Sequence, residues 1–368
     1  MVLSGGPDLG AKDDLVMRQG TQDPLGERPW WFDAVCYQID VGAFADADDD
    51  GVGDLDGIRG RLGYLELLGV NVVVLAGIAG SDPASPALAR LLAEAHENGL
   101  RVLLALDIDP GRTDPGSLLR PWLDHGVDGF HLAPRNDPED AVAAVVADYP
   151  DRIVIGSGTG NWHLLFGLDL AVAGFSAEPV RKAITTVLDP PGPRPAWAMA
   201  SRDTTRIRDH AALTPVRAMA LVQLALPGAV CLRHGEELGL PGTERIRMPW
   251  EGLMRPFGFS AAQADWSSIP HDWVHFTVEA QLEDEDSTLS LYRHALEMRA
   301  THPAFVGDEV EWFGAPEDCF AFRRVGSSLI CALNTSAEPV PLPPGEVLLS
   351  SRPLVAGELP PGTAAWLV

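Results

Sequence analysis

The chain has 368 residues, 46% of them hydrophobic and 21% charged, an ordinary globular composition with ample material for a large core. Its formal net charge is −25 and its pI about 4.6, a surface that repels phosphate backbones and anionic lipid, so neither nucleic acid nor a membrane surface is an expected partner. No apolar run is long enough to span a bilayer, and none of Cys36, Cys231, Cys319 and Cys331 has zinc-ligand spacing.

Residues 1–28 are polar, contain Gly and Pro, and lack the apolar core of a signal peptide; they read as a disordered tail on a cytoplasmic, reduced protein. Order is expected from Pro29-Trp30-Trp31, followed by a buried strand over Ala34–Ile39 that includes Cys36. Between Phe44 and Leu55, Asp recurs at alternate positions with Gly to relax the backbone, the pattern of a calcium loop without the twelfth-position Glu of an EF-hand. The alternative is a solvated acidic turn, but so many carboxylates in so short a stretch repel one another without a cation.

Strand and helix signals then alternate. Ile58–Leu68 reads as an amphipathic helix, Val70–Leu75 as a strand apolar on both faces, and Pro86–Asn98 as a helix closed by Gly99. Arg101–Leu106 is the third strand, Leu118–His125 a helix, Gly129–Leu132 the fourth strand, Asp140–Asp148 a helix and Arg152–Gly156 the fifth strand. Leu168–Phe175 is the expected sixth strand, Ala196–Ala200 the seventh and Ala229–Leu232 the eighth, with an apolar helix over Pro215–Leu226. Eight such strands give an α/β fold, a (β/α)8 TIM barrel over residues 29–304. A doubly wound open sheet is the alternative, but no Gly-rich phosphate loop follows the first strand. From 305 to 368 short β-rich runs predict a small antiparallel, β-sandwich-like domain. Cys319 and Cys331 flank its G-S-S turn, with free thiols the reading and a cross-strand bridge the lesser alternative.

The run Trp122 to Arg135, W-L-D-H-G-V-D-G-F-H-L-A-P-R, reads as a short helix, a turn and a buried strand emptying into a site. It resembles the fourth-strand signature of the α-amylase superfamily, glycoside hydrolase family 13, whose α-glucosidases carry W-L-x-x-G-V-D-G-F-R-x-D. The acidic loop is similar to the D-x-N-x-D-G-x-G-D-L loop of oligo-1,6-glucosidases and trehalose synthases. That likeness implies one structural Ca2+ held by Asp46, Asp48, Asp50, the Val52 carbonyl and Asp54. Pro227 to Gly239 is similar to the family's L-P-G-x-x-x-x-Y-x-G-E-E-L-G, and Met248-Pro249-Trp250 to its M-P-W. Val278 to Gln281, Asp286-Ser287 and Leu291 to Pro303 resemble the stretch closing the barrel, so the likeness spans nearly everything from Trp30 onward. The family's B domain, an excursion after the third strand, has no room between Asp107 and Leu118, and the loop Ala79 to Pro86 lacks the Tyr-Asp pair that holds the terminal sugar.

By the same resemblance the catalytic nucleophile falls at Ala133, and a methyl group cannot attack an anomeric carbon. His131 stands where the family has Arg. The acid/base falls at Ser157, which is no proton donor of the required strength, and no Glu lies between residues 140 and 177 to replace it. The third carboxylate is retained as Asp203, with Arg202 in place of its His partner and Arg206 nearby; these arginines are expected to pair with it. On the third strand Ala105 replaces an Asp and Asp109-Pro110 an Asn-His pair. Asp107, Asp109 and Asp203 could form a new carboxylate cluster at the mouth, against the plainer reading of solvated loop acids. His131 and His163 read as packed histidines, and Glu236 and Glu237 as structural.

The resemblance thus implies a catalytically inactive α-glucosidase-like protein, a scaffold that binds a protein partner, another copy of itself or a regulatory ligand, and any sugar only weakly, with the family's non-enzymatic transporter heavy chains as precedent. The alternative is an α-glucoside-acting hydrolase or transferase with weak or rewired activity.

Overall fold

Eight parallel strands close on themselves, each hydrogen-bonded to the next and the last to the first: β1 Val35–Asp40, β2 Val72–Ala76, β3 Arg101–Ile108, β4 Gly129–Pro134, β5 Ile153–Gly156, β6 Leu164–Gly167, β7 Arg194–Ala198 and β8 Ala229–Arg233. The computed structural model describes residues 28–108, 114–134, 139–158, 160, 162–189, 192–200, 213–241 and 246–368, with the backbone alone at 133, 134, 139 and 213. No helix among the described residues is long and apolar enough to cross a membrane.

The period-two alternation of a strand sorts each strand's side chains between the barrel interior and the surrounding helices. In β2, Val72 and Val74 join the interior cluster while Val73 and Leu75 face outward, which is why the run is apolar throughout. Inside, the bulk of Ile153, Ile155 and Leu164 on one side is balanced by Ala196, Ala198 and Ala229 on the other, so the barrel is filled and not hollow. Each buried Val, Leu or Ile contributes roughly 1.5–3 kcal/mol. Trp30 and Trp31 pack under the interior cluster, and the Arg101 guanidinium lies 5.3 Å from the Trp30 ring centroid. These aromatics close the end where the strands begin.

At that same end sits Asp128, completely buried. Its carboxylate accepts from Val102 N at 2.9 Å, from His96 Nε2 at 2.7 Å, and from Arg101 and Arg152 Nη1 at 3.0 and 3.4 Å. Those donors outweigh the cost of burial and hold its carboxyl below the usual range, hydrogen bonding from His96 being the largest favourable cause. One step on, Gly129 has φ +151°, and an added Cβ would lie 2.1 Å from Ile153 O. The G-V-D-G-F motif is therefore required by the fold at two positions, independent of any reaction.

The sixth strand is not Leu168–Phe175. It runs over Leu164–Gly167, pairing with β5 through Ile155↔Leu164 and with β7 through Gly167↔Trp197. Asp169–Ala173 turns into a helix instead, with Leu170 buried and Val172 81% exposed. An Asp at a helix start and an Ala-rich run favour that outcome over an extended strand. The helix expected over Ile58–Leu68 is two, Leu55–Arg59 and Leu62–Leu68, parted at Gly60. Gly57 in the first lets the backbone press onto the acidic loop, since a Cβ there would meet Ala45 O at 2.2 Å. A helix over Ala177–Leu188 has no counterpart in the sequence reading. Between Ile108 and the helix Pro115–Asp124 lie only residues 109–114.

After the barrel come β9 Val310–Phe313, β10 Cys319–Arg324, β11 Ile330–Asn334, β12 Val340–Pro341, β13 Val347–Ser350, β14 Glu358–Leu359 and β15 Thr363–Leu367. Five form an antiparallel sheet in the order β13-β15-β11-β10-β9, and β12 pairs with β14. The sheet is fixed to the barrel by Trp366, whose Nε1 donates to Leu221 O at 3.0 Å. All four cysteines are free, and Cys331 is opposite Phe322, not Cys319.

Candidate active site

In a barrel the chemistry belongs at the carboxyl ends of the strands. β3 and β4 are in register with Ala105 opposite His131 and Asp107 opposite Ala133. Ala105 packs against the interior cluster, and two residues beyond His131 the register places Ala133 near the carboxyl end of β4. Ser157 follows β5 with the parity of the inward Ile153 and Ile155. The sequence-derived nucleophile and acid/base positions thus sit on neighbouring strands at one end of the barrel, and neither is a carboxylate. Asp107, opposite Ala133, is exposed. Asp109, Arg202, Asp203 and Arg206 lie outside the described residues, so the new cluster and the arginine pairing expected there have no geometry to report.

Beneath Ala133 the His131 ring packs on Phe166 with centroids 4.5 Å apart. Burial pushes its imidazole down to about 4, so it is neutral near pH 7. An arginine would bring a permanent positive charge to this level of the barrel; His131 brings none. Ser157 offers its carbonyl to Trp162 Nε1 at 3.2 Å, and the Trp162 ring covers Gly156 so closely that a Cβ there would lie 2.2 Å from it. His163 is also packed: its Nδ1 accepts from Val154 N at 3.1 Å, and burial pushes it down to about 4. A retaining glycosidase needs two carboxyl groups roughly 5–5.5 Å apart. Asp107, in register with Ala133, supplies one carboxyl at this end of β3.

The acidic loop is a separate construction on the first βα connection. Asp46, Asp48 and Asp50 bring one carboxylate oxygen each within 4.8 Å of one another. Asp46 is buried and accepts from Gly51 N at 2.8 Å and Asp49 N at 2.9 Å. Against the cost of burial, hydrogen bonds led by that of Ser260 hold its carboxyl below the usual range. Desolvation and the neighbouring charges of Asp50, Asp54 and Asp46 push that of Asp48 up. Asp54 plays another part, accepting from Ala47 N at 2.8 Å and capping the helix at Gly57 N at 2.7 Å. Val52 N donates to Asp50 Oδ1 at 2.8 Å. Three carboxylate oxygens gathered this closely are a hard-oxygen set of the kind that suits a calcium ion. The backbone that presents it is tight: a Cβ on Gly53 would meet Val41 O at 2.4 Å.

Two polar clusters hold acids whose partners the sequence did not name. Glu237, buried after β8, accepts on one oxygen from the Tyr37 and Tyr64 hydroxyls at 2.6 and 2.7 Å, and burial and that carboxylate push Tyr64 well up. Glu236 accepts from Tyr292 at 3.3 Å. The signal was a pair of acids in an apolar run, which can persist only with donors. Asp128 is the second, and its charge inside a Val-Phe stretch was the equivalent clue.

No family model matches the chain. It is 22% identical to a probable α-glucosidase of Rhizobium meliloti over an alignment of 514 residues, covering 88% of this chain and 93% of that one. The alignment is longer than this whole chain, so the relative carries long insertions. It is 25% identical to the amino acid transporter heavy chain SLC3A2 of Oryctolagus cuniculus over 84% of this chain and 66% of that one. Shorter stretches match an oligo-1,6-glucosidase of Parageobacillus thermoglucosidasius, 50% identical over 14% of this chain and 9% of that one, and a trehalose synthase of Thermus thermophilus, 35% identical over 27% and 13%. In fold it is similar to the crystal structure of trehalose-6-phosphate hydrolase from Bacillus licheniformis, with a TM-score of 0.75 and 16% identity over 92% of this chain and 99% of that one.

Proposed function

We propose that the chain is a non-catalytic member of glycoside hydrolase family 13, beside the α-glucosidases, oligo-1,6-glucosidases and trehalose synthases it is similar to. It keeps the barrel as a cytoplasmic binding scaffold for a protein partner or a second copy of itself. The observation that carries this reading is Ala133 near the carboxyl end of β4, in register with Asp107 on β3. Ser157 just after β5 and the neutral His131 on β4 support it, because the positions of the nucleophile, the acid/base and the family's Arg are all substituted. Substituting one such group in a glycosidase lowers turnover by orders of magnitude; substituting all of them removes the double displacement.

A second reading, an α-glucoside-acting enzyme with a rewired site, rests on Asp107, an exposed carboxylate at the mouth, with Asp109 and Asp203 as further candidates from the sequence. Purified protein incubated with nitrophenyl α-glucoside, isomaltose, maltose and trehalose separates the two. Absence of cleavage, and no sugar-induced rise in melting temperature, is the expected result. Turnover abolished by Asp203→Ala or Asp107→Asn would overturn the non-catalytic reading.

We further propose that Asp46, Asp48 and Asp50 hold one calcium ion, with the Val52 carbonyl and Asp54 completing the set. The ion would fix the first βα connection and take no part in any reaction.

A further inference from the structure

Three features of the C-terminal sheet meet on one side of it. β9 is an edge strand: among the described residues it pairs with β10 alone. An edge presents a row of amide and carbonyl groups that can accept another strand. Where β9 ends, a cavity of about 430 Å3 opens, walled by Phe313, Ala321, Ile330 and Ala332 and bordered by Leu342 and Leu359. It lies on the face of the sheet turned away from the barrel, because Trp312, Phe320 and Phe322 take the other face into the main core. The surroundings of both features are acidic. Glu309, Glu311, Glu317, Asp318 and Glu338 are exposed, and Arg323 on β10 is already engaged by Glu311. Residues 305–368 hold eight acids against three arginines.

We propose that this is a strand-addition site for an extended segment of another protein, with alternating apolar side chains flanked by Lys or Arg. The β9 edge supplies main-chain hydrogen bonds, the cavity takes alternate apolar side chains, and the carboxylates select basic flanks. Charge decides among occupants. A second copy pairing β9 with β9 brings Glu311 rims together. This chain's own apolar run Leu15-Val16-Met17 lies between Lys12-Asp13-Asp14 and Arg18, flanks whose charges cancel and give the rim no net positive charge to select. A small apolar ligand uses neither the edge nor the charge. The site is remote from the barrel mouth, so its outcome is independent of whether the mouth has turnover.

The test uses the full chain and fluorescein-labelled peptides read by anisotropy: a Val-Leu-Val-Leu core flanked by lysines, the same core flanked by glutamates, and the lysine peptide N-methylated at alternate amides. At low salt the lysine peptide is expected to bind at least about tenfold tighter than the glutamate peptide. N-methylation should abolish binding, and the β9 amides should exchange more slowly in the complex. Glu311→Lys with Glu317→Lys, both exposed and remote from the core, should reverse the flank preference without altering the near-UV spectrum. Equal binding of both flanks, or binding insensitive to N-methylation, overturns the proposal in favour of apolar occupancy alone. So does absence of peptide binding with concentration-dependent self-association, which assigns the edge to a second copy. Binding that emerges only when residues 1–27 are removed assigns it to this chain and overturns it equally.

Discussion

Replacing Asp128 with Ala removes a fully buried carboxylate and leaves Arg101, Arg152, His96 and the Val102 amide facing one another without it. Breaking a buried ion pair by deleting one partner costs about 3–5 kcal/mol. The lower end applies, because the Arg101 and His96 side chains are 41% and 36% exposed and water can reach them once the acid is gone. We expect Asp128→Ala to lose about 3 kcal/mol in urea unfolding monitored by far-UV circular dichroism, with an unchanged slope against denaturant. Acid adds a second criterion. The folded carboxyl titrates below its ordinary 3.8, so its contribution is complete above that pH and is lost as pH falls through the depressed value. The gap between wild type and Asp128→Ala should therefore be constant from neutrality down to about pH 4 and narrow below it. A loss under about 1 kcal/mol, or a gap that narrows already near pH 6, would refute the assignment of this residue as the clamp at the base of β4.

Other outcomes follow from the same structure. Chelation of calcium should lower the melting temperature of the wild type, and Asp48→Asn with Asp50→Asn should remove both the chelator effect and the added-calcium effect; an identical chelator response in that variant excludes the loop as the site. Ala133→Asp alone should leave hydrolysis of nitrophenyl α-glucoside at background, since Ser157 and His131 supply neither acid nor positive charge; measurable turnover in this single variant contradicts the reading of the mouth. His131 and His163 are held neutral to about pH 4 against an ordinary 6.5, so the unfolded chain binds their protons first and stability falls between those values on acidification. His131→Phe should flatten that slope by up to about 1.4 kcal/mol per pH unit, read from urea midpoints at pH 6.5 and 4.5. Arg299→Met should destabilise by about 3 kcal/mol, because its guanidinium binds the carbonyls of Leu224, Leu226 and Gly228 at the end of the helix Leu213–Ala225; a midpoint within error of wild type speaks against that cap.

The barrel was legible because most of its strands are short, largely apolar runs that alternate with helical patterns. Gly126-Val127-Asp128-Gly129-Phe130 located β4, but its reason, a buried clamp and a backbone with no room for a Cβ, needed the packed neighbours Arg152 and Ile153. The sixth strand was misplaced because Leu164–Gly167 is short and only its register with Ile155 and Trp197 marks it as extended. Ala177–Leu188 was missed because Pro179 and the Thr185-Thr186-Val187 run weaken its helix signal, whereas burial of Val180 and Ile184 on one face fixes it. The alternating acids of the 46–54 loop and the substituted mouth positions were readable residue by residue. The edge status of β9 was not, since it depends on the spatial order of strands that are not neighbours in sequence.

The seam made by Trp366 and Leu221 also governs how the molecule would respond to being pulled. A strand seated on β9 transmits tension through β10, β11 and β15 in series to a helix that lines the barrel. Sheet and barrel then act as a single mechanical body, so a tether at that edge tugs on a rigid post and not on a loosely hinged flap. For the strand-addition role proposed for β9, that stiffness is itself an asset.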